Sequence, residues 1–159
     1  WQRVCSNAAN YELNSPELKL VEQMMPASPE IAQSVYRKLT ELLPNNRSRR
    51  GKLTDAGISH SCHRDLNMFQ AYLLLCFLEK SMMPIEQELI PLCAMVVKGV
   101  EIKWELTQKW CEVLAHEIES RLDSGQKDIL VPYTQGMKQA FFKERESLGC
   151  QEEMTAKIV

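Results

Sequence analysis

The segment from Leu66 to Leu78 limits this chain more than any other, because it is apolar on nearly every side of a helix. Leu66, Phe69, Leu73, Cys76 and Phe77 recur at the three- and four-residue spacing of one helical face. Leu74, Leu75 and Leu78 cover much of the opposite side. A helix without a polar face has to be surrounded, so this one is expected at the centre of a helical bundle. Its neighbours keep the same period. SPEIAQSVYRKLTELLPNN predicts a helix with Ser28 as N-cap, Pro29 in the first turn, an apolar stripe of Ile31, Val35, Leu39, Leu42 and Leu43, and Pro44 as the stop. IEQELIPLCAMVVKG, restarted by Pro84, predicts helix with a kink or break at Pro91. WELTQKWCEVLAHEIESRL repeats the period through Leu106, Trp110, Val113, Leu114 and Ile118 up to the turn residues Asp123, Ser124 and Gly125. YTQGMKQAFFKERES predicts the last helix, with Gly149 ending it. No stretch alternates with period two, no repeat is visible and no linker interrupts the chain, so the expectation is all-α, a single domain over residues 1–159.

A chain of 159 residues is long enough to bury roughly two-thirds of its unfolded surface, so its core needs no disulfides. Hydrophobic residues at 45% and charged residues at 25% fit a globular domain rather than a disordered or membrane-spanning chain. The net charge of −2 gives no global field that recruits nucleic acid. The local basic run of Arg47, Arg49, Arg50 and Lys52 reads as a solvated loop, with a polyanion site as its alternative. The six cysteines, Cys5, Cys62, Cys76, Cys93, Cys111 and Cys150, form no CxxC pair and fall mostly in apolar periodic segments. Reduced thiols in a cytoplasm-like compartment are therefore expected. No charged-then-apolar leader and no membrane-spanning apolar run is present, and a chain opening on Trp1 rather than Met is expected of a trimmed or processed form.

Chemistry concentrates at SHSCHRD, residues 59 to 65, read as the start of the central helix. Cys62 and Asp65 are one turn apart on one helical face, whereas Arg64 points aside and must curl back on its long stem. The trio suits an extended anionic ligand. A thiol can form a thioether to an unsaturated ligand, a guanidinium can pair with its carboxylate, and a carboxylate can accept hydrogen bonds from its N–H groups. The plainer alternative is a buried structural cysteine beside a surface Arg–Asp pair. His60, Cys62 and His63 also offer three metal-ligand types within four residues, but no CxxC or HxxxH partner supplies a fourth. A Cys–His nucleophile pairing with His116 lacks an orienting third group and an oxyanion loop, so no enzymatic activity is expected.

CHRD followed at fixed distance by MPIEQELI resembles the phycobiliproteins of cyanobacterial and red-algal light harvesting, whose central pattern is Cys-x-Arg-Asp followed later by Pro-(Ile)-Asp/Glu-Glu. Residues Cys62 to Ile90 can be laid on that pattern without a gap. The stretch from Met25 through Tyr36 and Pro44 to Cys62 is similar to the two family helices and the loop before the bilin cysteine. KWCEVLAHEI resembles the family helix that carries a Trp near the chromophore, and VPYTQGMKQAF its last helix. The likeness covers most of residues 15–142, with 143–159 as a C-terminal tail, and its specific weight rests on Cys62, Arg64, Asp65, Pro84 and Trp110.

The resemblance implies a globin-like phycobiliprotein fold and one linear tetrapyrrole (a phycobilin such as phycocyanobilin or phycoerythrobilin) joined by a thioether to Cys62. It implies that Arg64 pairs with a bilin propionate, that Asp65 accepts hydrogen bonds from the pyrrole nitrogens, and that Trp110 packs beside a terminal ring. It further implies light harvesting or light sensing on the cytoplasmic side of a thylakoid membrane, in a cyanobacterial cytoplasm or plastid stroma, with a phycobiliprotein subunit or a second copy as partner. Several positions depart from the family. Met68 and Phe69 stand where tyrosines or other aromatics are usual, Glu79, Lys80 and Ser81 replace an Ala-Gly-Asp-like segment, and Cys111 follows Trp110 in place of Tyr. Lys52 holds the place of the modifiable asparagine of β subunits. The DSGQKDIL segment, read as a loop, lacks the second cysteine of some family subunits, hence one bilin rather than two. Between SPELKL and SPEIAQ there is too little chain for the family's N-terminal hairpin, so a weaker partner or a homodimer is expected. Two other readings of the fold stand beside this one: a bilin-free interaction module for phycobilisome assembly or turnover, and a haem-binding globin-like sensor with His63 or His116 as axial ligand.

Overall fold

The structure, a computed structural model, describes residues 1–45, 47–48, 51–100 and 104–156. Six α-helices carry the fold: α1 Gln2–Ala8, α2 Pro16–Leu42, α3 Ala56–Glu79, α4 Ile90–Val100, α5 Trp104–Ser120 and α6 Ser124–Ala156. A π-helical turn, Ile85–Leu89, leads into α4, and a two-residue ribbon pairs β1 Arg47–Ser48 with β2 Gly51–Lys52. The all-α class expected from the periodicity is the class observed. As expected too, α3 is central, packing against α1, α2 and α6, while α5 packs against α2 and α6. Leu66, Phe69, Leu73, Leu74, Leu75, Cys76, Phe77 and Leu78 are all buried. Arg49 and Arg50 of the basic run lie outside the described residues, as does the thiol of Cys150.

The start of α2 corrects the expectation at Ser28. The helix begins at Pro16, capped by Ser15, whose hydroxyl accepts the Leu18 N–H at 3.2 Å, and it runs through both Pro26 and Pro29. An interior proline normally costs a helix a hydrogen bond and a steric clash. Here the buried stripe of Leu20, Val21, Met24, Ser28, Ile31, Ala32, Val35 and Leu39 continues unbroken across both prolines. That burial outweighs the local stop signal. Ser28 is buried rather than capping, and its carbonyl accepts the buried Gln70 amide of α3 at 2.9 Å. The far end follows the prediction: Leu43, ahead of Pro44, leaves the helical region. Leu42, expected in the stripe, is exposed.

The last helix is longer than its predicted span. Asp123 and Gln126 cap α6 reciprocally: the Gln126 N–H donates to Asp123 Oδ1 at 2.8 Å, and the Asp123 N–H donates to Gln126 Oε1 at 3.1 Å. The residues read as a loop, DSGQKDIL, are thus the capped first turns of α6, and the helix passes through Pro132 and Gly149 to Ala156. Pro91 follows the π turn, in which the Ile90 N–H reaches the Ile85 carbonyl. The wider ring is one of the ways a helix absorbs a nearby proline.

The end of α3 bears on the family resemblance. Lys80 caps it with φ 54° and ψ 39°, a left-handed conformation that glycine adopts freely and lysine does not. Its ammonium lies 4.5 Å from the Phe77 ring centroid and 3.3 Å from Glu17 Oε1, contacts that hold the strained residue in place.

Between α2 and α5, Glu117 is buried with Lys38 and Arg121 bonded to its carboxylate, and Arg121 also reaches Glu30. Burial alone would raise this carboxyl. The hydrogen bonds from Lys38, Arg121 and Ser34 outweigh it and hold the group below the ordinary glutamate range. A depressed carboxyl stabilises the fold fully above its unfolded value and loses that contribution as pH falls through the folded one. Glu117→Gln is therefore expected to cost about 1–3 kcal/mol at pH 7. Urea unfolding of both proteins should show the gap closing as pH drops below about 4.3.

Candidate functional site

The segment SHSCHRD lies deeper in its helix than its sequence suggests. α3 begins at Ala56, so Cys62 sits in the second turn and not at the start. Contacts to α2 hold the chain just ahead of this helix and within its second turn. The Tyr36 hydroxyl donates to the Leu53 carbonyl at 2.8 Å, and the Tyr36 ring packs 4.7 Å from that of His63. Lys52 N–H donates to Asp55 Oδ2 at 2.9 Å, which fixes the approach to the first turn.

Arg64 curls back as expected. Its Nε and Nη2 both donate to Asp65 Oδ1, at 3.0 and 2.9 Å. The guanidinium side chain is 68% exposed and the carboxylate 29%, so the pair alone is worth less than about 1 kcal/mol. Both residues line a cleft of about 300 Å³ between α3, α4 and α5. Met68 and Phe69 continue its α3 wall, Cys93, Val96 and Val97 form the α4 wall, and Leu106, Thr107 and Trp110 complete it from α5. Trp110 thus joins Arg64 and Asp65, and its Nε1–H is buried without an acceptor among the described residues. Among backbone neighbours α4 approaches chiefly the π turn, so this gap is the space it leaves against the rest of the bundle.

Cys62 is the exception among the expected site residues. It is 5% exposed and is not part of the cleft wall, although Asp65 and Phe69 lie on its side of α3 at i+3 and i+7. Burial, and then the Asp65 carboxylate, push its thiol up to about 11. Cys93, read from sequence as core, does line the cleft, and burial followed by Asp65 pushes its thiol up to about 12. Both shifts act in one direction, keeping the Cys62 and Cys93 thiols protonated and weakly nucleophilic at neutral pH. Nothing in the periodicity of α4 separates Cys93 from a core position, because a residue lining a narrow cleft has the same spacing as one facing a neighbouring helix.

The other candidate groups do not meet at this cleft. His63 packs on Tyr36 with Nδ1 2.7 Å from the Ser59 carbonyl, and a carbonyl only accepts, so Nδ1 carries the proton. His116 lies in a separate shallow cleft with Lys38, Glu41, Lys109 and Glu112. Among the described residues no group of three or more His, Cys, Asp or Glu side chains gathers around one point, His60, Cys62 and His63 included. Cys5, Cys62, Cys76, Cys93 and Cys111 are free thiols, all but Cys5 buried. No described helix is long and apolar enough to cross a membrane. A second cleft, of about 690 Å³, opens on the other side of α3 toward α1 and shares Arg64 and Met68 with the first.

No family model matches the chain, and no curated protein matches it.

Proposed function

We propose that the chain is a phycobiliprotein-like domain of the globin-like type that binds one linear tetrapyrrole between α3, α4 and α5, for light harvesting or light sensing. The observation that carries this reading is the meeting of Arg64, Asp65 and Trp110 in one mostly apolar cleft. Without a ligand, Arg64 and Asp65 satisfy each other. A bilin offers each a better-matched partner, a propionate for the guanidinium and pyrrole N–H groups for the carboxylate, so the exchange leaves no charge unpaired. The buried Trp110 N–H would gain an acceptor from a terminal-ring carbonyl. Lys80 adds support from outside the cleft: it stands where the resemblance has glycine, and it takes a backbone conformation suited to glycine.

A cleft of about 300 Å³ is at the small end of ligand sites, and a tetrapyrrole is a large ligand. Binding would therefore move α4 outward. Attachment would add the Cys62 Sγ–H across an exocyclic double bond of the bilin, forming the S–C bond and placing the proton on the adjacent carbon. The reactive species is the thiolate, and a thiol near 11 supplies only about one part in 10⁴ of it at pH 7. Unassisted attachment should be slow and should accelerate roughly a hundredfold between pH 7 and pH 9. Intact mass should rise by one bilin, zinc-enhanced fluorescence should follow the protein on a denaturing gel, and Cys62→Ser should abolish both. Two bilins, or one retained by Cys62→Ser, would refute the assignment.

The bilin-free reading, an interaction module for phycobilisome assembly or turnover, draws on the same cleft. Cys62 lies off its wall, while on α4 Val96 in that wall and its neighbour Met95 are exposed at 47% and 68%. Such apolar exposure suits a protein partner, a phycobiliprotein subunit or a second copy. A purified chain that takes up no pigment but captures a phycobiliprotein subunit would favour this alternative. In either reading the workplace is the cytoplasmic face of a thylakoid membrane.

A further inference from the structure

We infer that the cleft between α1 and α3 is a second ligand site, suited to an elongated amphipathic carboxylate of the fatty-acid kind. Its volume of about 690 Å³ falls among those of small-molecule sites. The α3 wall is a single stripe running from His60 to Leu75, about 22 Å of helix. Polarity changes along that stripe. His60, His63 and Arg64 stand at one end, while Ala71, Tyr72 and Leu75 form the other, met by Gln2, Arg3 and Val4 of α1, with the Arg3 guanidinium there already paired with Glu88 at 2.6 and 3.2 Å. Helix α1 lies over this second end, since Arg3 and Asn7 both reach Glu79 at the end of α3. The ligand is thereby oriented, with its head at the open basic end and its tail under α1.

Charge selects the head group. Among the described residues no Asp or Glu lines this cleft. Arg64 spends Nε and Nη2 on Asp65, which leaves Nη1 to donate to a carboxylate. Halfway along, Asn67 keeps its buried Oδ1 without a donor among the described residues. A buried acceptor left unmatched is costly, and water carried in with a carboxylate's hydration shell would donate to it. Neither this cleft nor its ligand depends on a bilin, although both ligands would draw on Arg64.

Decanoate tests the site, with decyltrimethylammonium as the cationic control of similar length. Methyl NMR of the wild-type chain should show saturable shifts at Val4, Ala71 and Leu75, with a dissociation constant below roughly 1 mM. The cation should bind at least about tenfold more weakly, which is about 1.4 kcal/mol. Ala71→Phe, which fills the floor of the cleft, should weaken decanoate by a similar factor while the far-UV circular dichroism melt stays cooperative. No saturation, equal binding of the cation, or shifts confined to Leu92, Val96 and Val97 in the other cleft would each overturn the proposal. The wild-type NMR arm decides the matter even if Ala71→Phe fails to fold.

Discussion

Bilin-loaded Asp65→Asn is expected to keep its pigment covalently bound, yet to absorb weakly in the visible, lose fluorescence and bleach further as pH rises from about 6 to 9. The effect is electrostatic. Asparagine has nearly the shape of aspartate without its charge, so the protonated, cationic bilin loses its counter-charge while the cleft keeps its form. A charged hydrogen-bonding partner typically shifts such an equilibrium by one or two pKa units, each about 1.4 kcal/mol. Without that counter-charge the pigment's pKa falls by the same amount, so it gives up its proton at lower pH than in the wild-type protein, which sets the sign of the bleaching. In the pigment-free chain the same substitution should hardly change stability, because there Arg64 and Asp65 bond each other with side chains 68% and 29% exposed, a pair worth less than about 1 kcal/mol. The two measurements therefore separate a pigment counter-ion from a surface ion pair. An unaltered band across the whole pH range would sink the mechanism even with the bilin attached at Cys62.

Phe141→Ala should produce the largest loss of stability among single substitutions near the site, about 3–5 kcal/mol. Phe141 is fully buried, with its ring centroid 5.5 Å from that of Phe69 and 5.7 Å from that of Trp104. Its carbonyl also accepts the Trp104 indole N–H at 3.0 Å. One residue of α6 thus ties α3 to α5, and Phe69 carries the stack to Trp110 at 6.4 Å in the cleft wall. Thermal unfolding should fall by roughly 10 °C or more. In bilin-loaded protein the same substitution should broaden the visible band, since Phe69 and Trp110 lose their backing. Ala140→Ser, next in sequence but outside this stack, should move the melting temperature far less.

Helix positions are legible where burial and local chemistry agree. The apolar faces of α3 and α5 are read directly from spacing, and Pro44 marks the end of α2 because the residue before a proline avoids the helical region. Two SPE segments show where reading by local signal fails. Ser15 and Ser28 are each followed by proline and glutamate, and only the first caps a helix. What separates them is tertiary: the stripe from Leu20 to Leu39 needs one continuous surface, and Gln70 of α3 supplies the buried partner for Ser28. At the site, Arg64 and Asp65 share a cleft with Trp110 and not with Cys62; the first two are legible in SHSCHRD itself and Trp110 through the resemblance. Cys93 is not, because its neighbours in the cleft come from helices far away in the sequence. The α1–α3 cleft is equally invisible, since it depends on where α1 docks.

The π turn at Ile85–Leu89 fixes the rotational phase of α4. A turn of this kind accommodates one residue more than an α-turn, and one residue corresponds to about 100° around the helix axis. Were the extra residue removed and the helix made regular, every side chain beyond it would swing by that angle. Leu92, Cys93, Val96 and Val97 would then turn away from Arg64 and Trp110 together, and the cleft would lose a whole wall without any of its own residues being changed.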